Sequence, residues 1–227
     1  GPEPSQSALE EALPLLAAAQ PQFAEAEKAV SQARAARRQL EGRALSPRLS
    51  RWVARLDRYL PALEAAMQLA QRAPQLLGHE RPVSYLILAQ NNQELRPTGG
   101  FISGVGLLQF SQGKITKAVF EDSYQTDARV AQAALPPPPA PLRQYMWAPV
   151  LVLRDANWSP DFPTSASVVA SIYRLSNRTD VDGVIAADLY AVTALIEALG
   201  PLQPQGYPAP VSSETLLETM AQYWGDP

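Results

Sequence analysis

The sequence predicts an α/β domain, with a mixed β-sheet layered with helices, preceded by an N-terminal antiparallel helical hairpin. In residues 1–77 the apolar positions recur at steps of three and four, which is the periodicity of a helix face. After Gly78, short apolar runs alternate with amphipathic segments, and this interleaving of strands and helices favours a layered α/β domain. The predicted division is therefore a helical hairpin over residues 1–78 and an α/β domain over residues 79–227.

Capping signals and apolar spacing predict the helices of the first part. Ser7 and Glu10 fit a capping box that opens a short helix. The next helix starts at Pro21, has apolar residues at heptad spacing and ends at Gly42. A serine N-cap followed by proline at the first helical position starts another helix at Ser46. Its apolar stripe consists of Leu49, Trp52, Leu56, Leu60, Leu63, Met67 and Ala70.

A cluster of arginines lies on this helical part. It is explained either by a solvated helix face with glutamate partners or by contact with anionic lipid headgroups or an acidic glycopolymer. The cluster consists of Arg34, Arg37, Arg38, Arg43, Arg48, Arg51, Arg55 and Arg58.

Three strands are predicted in the first half of the α/β domain. Residues 84–88 form an apolar run of the kind found in a buried strand, and residues 101–110 form a second candidate. Residues 115–120 alternate and should pair antiparallel with the second strand. The connection between them is a hairpin turn in which Gly113 supplies a positive φ.

The second half alternates between loop, helix and strand signals. The prolines at 136–139 and 141 predict an extended surface loop. A helix is predicted over residues 164–175, with Thr164 or Ser165 as its cap, and a strand over 181–186. Another helix should run over residues 188–199, with Asp188 as N-cap and Gly200 as its end, and a last helix should follow Ser212 or Ser213.

The amino-acid composition excludes several classes of binding partner and active site. The chain has 227 residues and a net charge of -3, which argues against a nucleic-acid partner. It contains no cysteine and one histidine, which excludes thiolate sites and most zinc and histidine-based chemistry. No apolar run reaches the roughly 18 residues of a membrane span. The opening Gly1 and Pro2 resemble the remnant of a cleaved expression tag, so we expect a fragment whose membrane anchor has been cut away upstream.

A polar loop between the first two predicted strands is the main candidate site. Arg96 could form a bidentate pair with phosphate or carboxylate, and Gly99 and Gly100 could let backbone N–H groups approach a ligand closely. The alternative is a polar turn whose side chains hydrogen-bond their own backbone. The candidate ligand-binding residues of this loop are Gln90, Asn91, Asn92, Thr98, Gly99 and Gly100.

A second constellation lies in residues 154–165, a proline-containing stretch predicted to be irregular. Asp155 and Asp161 could hold a hard cation such as magnesium through oxygen ligands. Asn157 and Trp158 are candidate ligand contacts. The alternative is that Arg154 and Asp155 form internal ion pairs while Trp158 packs in the core. Elsewhere, Asp122 closes a predicted strand and could face the same site.

Several long motifs resemble the bacterial family known as domain of unknown function 4012. They are NNQELRPTGGFISGVGLL, ITKAVFEDSY, LRDANWSPDFPTSA and VDGVIAADLYAVTALIEALGP, in this order from about Ser84 to the C-terminus. Members of that family are similar to membrane-anchored envelope proteins, with a transmembrane helix ahead of a helical segment. The resemblance therefore implies a location at the extracytoplasmic face of the bacterial cell membrane, with the membrane contacted through an anchor.

That family is in turn distantly similar to the LytR-CpsA-Psr phosphotransferases, which move glycopolymers from a polyprenyl pyrophosphate carrier onto the cell wall with arginines, aspartates and magnesium. The similarity implies catalytic roles for Arg96, Asp122 and Arg154, magnesium as cofactor, and a polyprenyl phosphate lipid or an envelope glycopolymer as partner. This sequence departs from the enzymes at Pro97, which begins the stretch where they carry an aspartate, and at Glu121, where they carry an arginine.

Two functions therefore remain open. One is phosphotransfer of a lipid-linked glycopolymer, which predicts an apolar tunnel beside the polar loop. The other is a non-catalytic envelope binding or assembly module with the helical hairpin as interaction surface. This second function predicts that the polar loop and the segment around Arg154 lock each other through buried ion pairs.

Overall fold

The computed structural model describes residues 4–131, 134–204 and 206–224. The chain forms two compact units. One consists of Gly1–Val83 with Gln109–Thr116, and the other of Ser84–Leu108 with Lys117–Pro227. In the described part of the chain, no helix combines the length and the apolar character that a membrane crossing requires.

The N-terminal helical region contains three helices, α1 (Pro4–Ala18), α2 (Gln20–Arg38) and α3 (Pro47–Leu76). Helices α1 and α2 both pack on α3. Ser46 caps α3 as predicted, because its hydroxyl accepts a hydrogen bond from the N–H of Leu49. The capping box predicted at Ser7 is wrong, since α1 begins at Pro4 and already includes that residue.

Helices α2 and α3 run antiparallel. Arg34 forms an ion pair with Glu64, while Arg37, further along α2, pairs with Asp57, which comes earlier on α3. The Arg37 pair is bidentate, with Nε and Nη2 each 2.8 Å from one carboxylate oxygen. The sequence-predicted hairpin is thus present, with α1 as an additional helix.

The second unit carries most of a four-stranded mixed sheet. Its strands are β1 (Val83–Asn91), β2 (Phe101–Ser111), β3 (Lys114–Asp122) and β4 (Gly183–Asp188), in the order β3-β2-β1-β4. Strands β1 and β4 pair in parallel. Strands β2 and β3 are joined by the predicted tight turn and are therefore antiparallel. At that turn both Gln112 and Gly113 have positive φ, 53° and 79°.

The remaining helices are α4 (Ser123–Ala128), α5 (Ala140–Tyr145), α6 (Phe162–Asn177), α7 (Leu189–Leu199) and α8 (Leu216–Trp224). The predictions for α7 are confirmed, because Asp188 caps it and Gly200 follows its last residue with φ of 89°. The predicted cap of α6 is wrong: Asp161, not Thr164 or Ser165, accepts the capping hydrogen bond. Pro141 also departs from prediction, since it lies in the first turn of α5, where a missing N–H costs nothing.

The core of the second unit lies between one face of the sheet and helix α6. Leu86 and Leu88 from β1 and Ile102 and Val105 from β2 are almost fully buried against Val169 and its neighbours on α6. In the parallel pair, Gln90 lies opposite Asp188. The polar loop that follows β1 therefore starts beside the point where β4 ends and α7 begins.

Candidate functional site

The loop between β1 and β2 is held together by its own backbone. The N–H of Glu94 donates to the carbonyl of Asn91, and the N–H of Phe101 donates to the carbonyl of Glu94. The side chain of Asn91 accepts from the N–H of Gln93 at 3.1 Å. These bonds match the alternative predicted from the sequence, a polar turn bonded to its own backbone.

The two glycines of the loop serve chain packing. A Cβ at Gly100 would lie 2.2 Å from the carbonyl oxygen of Asn91, so only glycine lets the start of β2 come this close to the end of β1. Gly99 has φ of 127°, a region that favours glycine, and a Cβ there would lie 3.0 Å from Oε1 of Gln90. The space that a Cβ would need at Gly100 is thus filled by the loop's own chain, while the approach of a ligand to the two glycines stays a prediction.

A buried hydrogen-bond network connects the loop to the segment after the 3-10 turn at Leu153–Asp155. Asn157, whose exposed fraction is 1%, donates through Nδ2 to Oγ1 of Thr98 at 2.9 Å and to the carbonyl of Gly100 at 2.7 Å. The hydroxyl oxygen of Thr98 also accepts from Nε2 of Gln90 at 3.0 Å. The Oδ1 atom of Asn157 is buried and has no protein partner. Asn157 therefore fastens two parts of the chain that are far apart in sequence.

Arg96 is paired with Asp155. Its Nη2 lies 3.1 Å from Oδ1 of Asp155, and Nη1 donates to the carbonyl of Leu95 at 2.9 Å. Both side chains of the pair are largely buried, with exposed fractions of 16% and 17%. The Nε atom of Arg96 is buried without a hydrogen-bond partner. The charge of this arginine is therefore already balanced inside the protein.

Arg154 is paired in the same way with Asp127. Its Nη1 lies 2.8 Å from Oδ2 of Asp127, while Oδ1 of that carboxylate accepts from the N–H of Leu153 at 2.7 Å. Burial raises the pKa of Asp127, against the opposing effects of the Leu153 N–H and the Arg154 charge. The two arginines predicted to bind phosphate thus each hold an aspartate.

Two aromatic rings lie between the arginines. The guanidinium of Arg96 lies 5.2 Å from the ring centre of Phe101, and that of Arg154 lies 4.4 Å from the ring centre of Tyr124. The two ring centres are 6.3 Å apart. Cation–π contacts of this geometry fix the direction in which each guanidinium points. We call the four paired side chains, Arg96, Asp155, Arg154 and Asp127, the ion-pair cluster.

The other predicted acidic residues act as helix caps. Asp122 is exposed and accepts from the N–H of Tyr124 at 2.7 Å, at the start of α4. Asp161 caps α6 through the N–H of Thr164, and hydrogen bonds from the Thr164 hydroxyl and N–H lower the pKa of Asp161.

The predicted magnesium ligands are Asp155 and Asp161, and each already has a structural role. Asp155 balances Arg96, and Asp161 caps α6. Among the described residues there is no group of three or more acidic or histidine side chains that could hold a metal ion. The residues present therefore do not form a ready magnesium site, and magnesium stays a prediction that a metal titration has to test.

The remaining predicted contacts are divided between loop surface and core. Asn92 is half-buried in the loop, next to Asn91. Trp158 is partly buried and packs against the main core cluster, as the alternative from the sequence proposed. A ligand contact at either residue stays a prediction.

The sequence analysis did not find Asp127, the member of the ion-pair cluster that lies on α4. It also did not find the contacts of Glu121, near the end of β3, which pairs with Arg129 and accepts from the hydroxyl of Thr126 at 2.7 Å. Burial acts to raise the pKa of Glu121, but the hydrogen bonds from Arg129 and Thr126 outweigh it and hold the pKa below its ordinary value. The only signal in the sequence was the close spacing of Glu121, Asp122 and Asp127, from the end of β3 into α4.

A groove of about 700 Å³ opens beside the loop, where β1 and β4 end. Pro97 and Thr98 form one wall, and Phe162 at the start of α6 forms another. Ala186 and Asp188 of β4 contribute to its lining. Ligands of α/β sheets commonly bind beyond the carboxyl ends of parallel strands, which is the position of this groove.

Comparison with known proteins gives one positive result. The family model described as "Protein of unknown function (DUF4012)" matches residues 80–223, more than half of the chain. No curated protein and no solved structure matches the chain. The chain therefore belongs to the DUF4012 family of proteins of unknown function.

Proposed function

We propose that this chain is a non-catalytic binding and assembly module of the bacterial cell envelope, located at the extracytoplasmic face of the membrane. The observation that carries this proposal is the pairing of Arg96 with Asp155 and of Arg154 with Asp127. A phosphate clamp needs cations aimed at the ligand, whereas here Arg96 holds the polar loop to Asp155 and Arg154 holds the 3-10 turn to Asp127.

The charge balance of the site supports this role. Each arginine of the ion-pair cluster is matched by one aspartate, so the cluster has no net positive charge to attract a pyrophosphate. Breaking a buried ion pair by removing one partner leaves an uncompensated charge and costs about 3–5 kcal/mol. A ligand phosphate would have to offset a cost of this size before it could recruit either arginine.

The ligand of such a module would bind in the groove beside the loop. Its volume of about 700 Å³ lies within the range of small-molecule sites, which is about 300–1,000 Å³. The lining combines apolar side chains with three polar ones, which are Gln90, Thr98 and Asp188. This combination suits an amphiphilic envelope component that carries an apolar chain.

The test is Arg96→Ala, measured for stability and for lipid binding in parallel. Loss of the pair should destabilise the domain by a few kcal/mol, and a chain of this size then melts roughly 5–10 °C lower. Arg143→Ala is the control, because Arg143 is exposed and belongs to no ion pair among the described residues. Unchanged stability of Arg96→Ala, together with lost binding of a polyprenyl pyrophosphate, would contradict the proposed role.

The second candidate is the phosphotransferase acting on a polyprenyl-pyrophosphate-linked glycopolymer. The groove favours it, because it lies beside the loop and its lining includes apolar side chains against which an isoprenoid chain would pack. In this case Arg96 would exchange Asp155 for a substrate phosphate. Release of a polyprenyl phosphate from a lipid-linked glycopolymer by the intact chain, abolished in both Arg96→Ala and Arg154→Ala, would establish this function over the first.

A further inference from the structure

The turn between α2 and α3 and the start of α3, up to Leu56, form a surface of one charge. Four arginines lie between Gly42 and Leu56, and this stretch contains no aspartate or glutamate. They are Arg43, Arg48, Arg51 and Arg55, and all are exposed. We call this surface the basic tip.

The arginines of the basic tip are not used for internal pairing. Arg34 and Arg37, further along α2, are matched by Glu64 and Asp57. By contrast, within the part of the chain that the structure describes, none of the four tip arginines has a carboxylate partner at ion-pair distance. Their charges are therefore free to act on an external anion.

Three of these arginines share one face of α3 with an aromatic residue. Residues 48, 51, 52 and 55 are spaced by three and four, so they lie on one side of the helix. They line a shallow depression of about 270 Å³, in which the guanidinium of Arg55 lies 5.2 Å from the ring centre of Trp52. Trp52 is 60% exposed, and Tyr59, about two turns further along the helix, is also 60% exposed.

The apolar part of this surface decides which anion fits. Leu49 and Leu56 border the arginines and are 44% and 40% exposed. A hydrated acidic glycopolymer carries negative charge but has no apolar surface against which these side chains could be buried. A phospholipid surface offers both, because tryptophan and tyrosine prefer the headgroup region and leucine reaches the acyl boundary.

We propose that the basic tip binds the surface of an anionic phospholipid membrane, with lipid phosphates seated among Arg48, Arg51 and Arg55 and with Trp52 inserted beside them. Basic residues near such a surface act additively, and their attraction falls off within a Debye length. This membrane contact is separate from the ion-pair cluster and does not depend on the function proposed for it.

The test is co-sedimentation of the intact chain with vesicles of phosphatidylcholine alone and with about one third phosphatidylglycerol. We expect binding only to the anionic vesicles, weakened strongly by salt. Replacing Arg48, Arg51 and Arg55 together by glutamine should lower the partition coefficient about a hundredfold. Trp52→Ala should weaken binding while leaving its dependence on phosphatidylglycerol in place.

The matched control replaces Lys28, Arg72 and Arg143 by glutamine, which removes the same charge from exposed cations outside the tip. It should bind anionic vesicles within a few-fold of the unmodified chain. Helix content measured by circular dichroism verifies that both variants fold. Equal loss in the two triple variants, binding to neutral vesicles, or binding to a soluble acidic polysaccharide in place of vesicles would each overturn the proposal.

Discussion

Replacement of Asn157 by alanine tests whether the buried hydrogen-bond network holds the candidate site together. The side chain is 1% exposed, and its Nδ2 donates to both Thr98 and Gly100. Alanine removes two hydrogen bonds worth about 1 kcal/mol each and leaves the carbonyl of Gly100 buried without this donor. We expect the loop to lose about 2–3 kcal/mol of its local stability.

Hydrogen exchange of the loop amides is the assay with the required resolution. The N–H of Gly99 donates to the carbonyl of Arg96, and the N–H of Phe101 donates to that of Glu94. Local opening exposes these amides, so their exchange rates report the free energy of opening. A loss of about 2–3 kcal/mol should speed their exchange roughly 30- to 150-fold, at 1.4 kcal/mol for each factor of ten.

Asn92→Ala provides the control, because it is the same substitution in the same loop. Asn92 is half-buried and makes no hydrogen bond among those found in the described residues. Its exchange rates should stay within a few-fold of the unmodified chain. If Asn157→Ala behaves like Asn92→Ala, the hydrogen bonds of Asn157 do not hold the loop, and the argument for a locked site fails.

Three further substitutions test individual steps of the fold. Gly100→Ala should destabilise the domain by about 1–3 kcal/mol in a urea titration, because its Cβ would lie 2.2 Å from a backbone atom. Gly104→Ala is the comparison: the nearest atom to its Cβ is 3.3 Å away, so this change should cost less. Glu121→Gln should reduce the loss of stability at low pH, measured as the melting temperature against pH. The pKa of Glu121 in the folded protein lies below its ordinary value of 4.5, so the carboxylate stabilises the fold above that pH. This contribution is lost as the pH falls through the folded pKa, and the glutamine variant lacks it at every pH. Asp188→Ala should lower the melting temperature by a few degrees, because the cap of α7 is worth about 1 kcal/mol, and Asp188→Asn should restore most of it.

Local patterns predicted most of the elements. Strands β1 and β2, the turn at Gly113 and helix α7 with its cap at Asp188 depend on neighbouring residues, so the sequence contains their signals. The errors have the same local origin. Thr164 carries a good capping side chain, but Asp161, three residues earlier, accepts from the N–H of Thr164 and starts the helix sooner.

The sequence indicated which segments form the candidate site but not which of their residues contact each other. Arg96 and Asp155 are 59 residues apart, as are Thr98 and Asn157, and no periodicity reports such a contact. Asp127 was overlooked because its burial depends on the packing of α4 against the 3-10 turn. An arginine in a polar loop indicates a binding site or an ion pair equally well until the position of its carboxylate partner is known.

The locked loop and the groove are two consequences of one set of contacts. Thr98 accepts a hydrogen bond from Asn157 in the buried network and also lines the groove. The hydrogen bonds that immobilise the loop therefore also set the position of one groove wall. Gln90 has the same double role, because it is bonded to Thr98 and also contributes to the lining of the groove. A rigid wall reduces the ordering cost of binding, which favours a site built to hold a ligand. The same rigidity works against a mechanism in which Arg96 must leave Asp155 to reach a substrate, because that movement would loosen the wall against which the substrate binds.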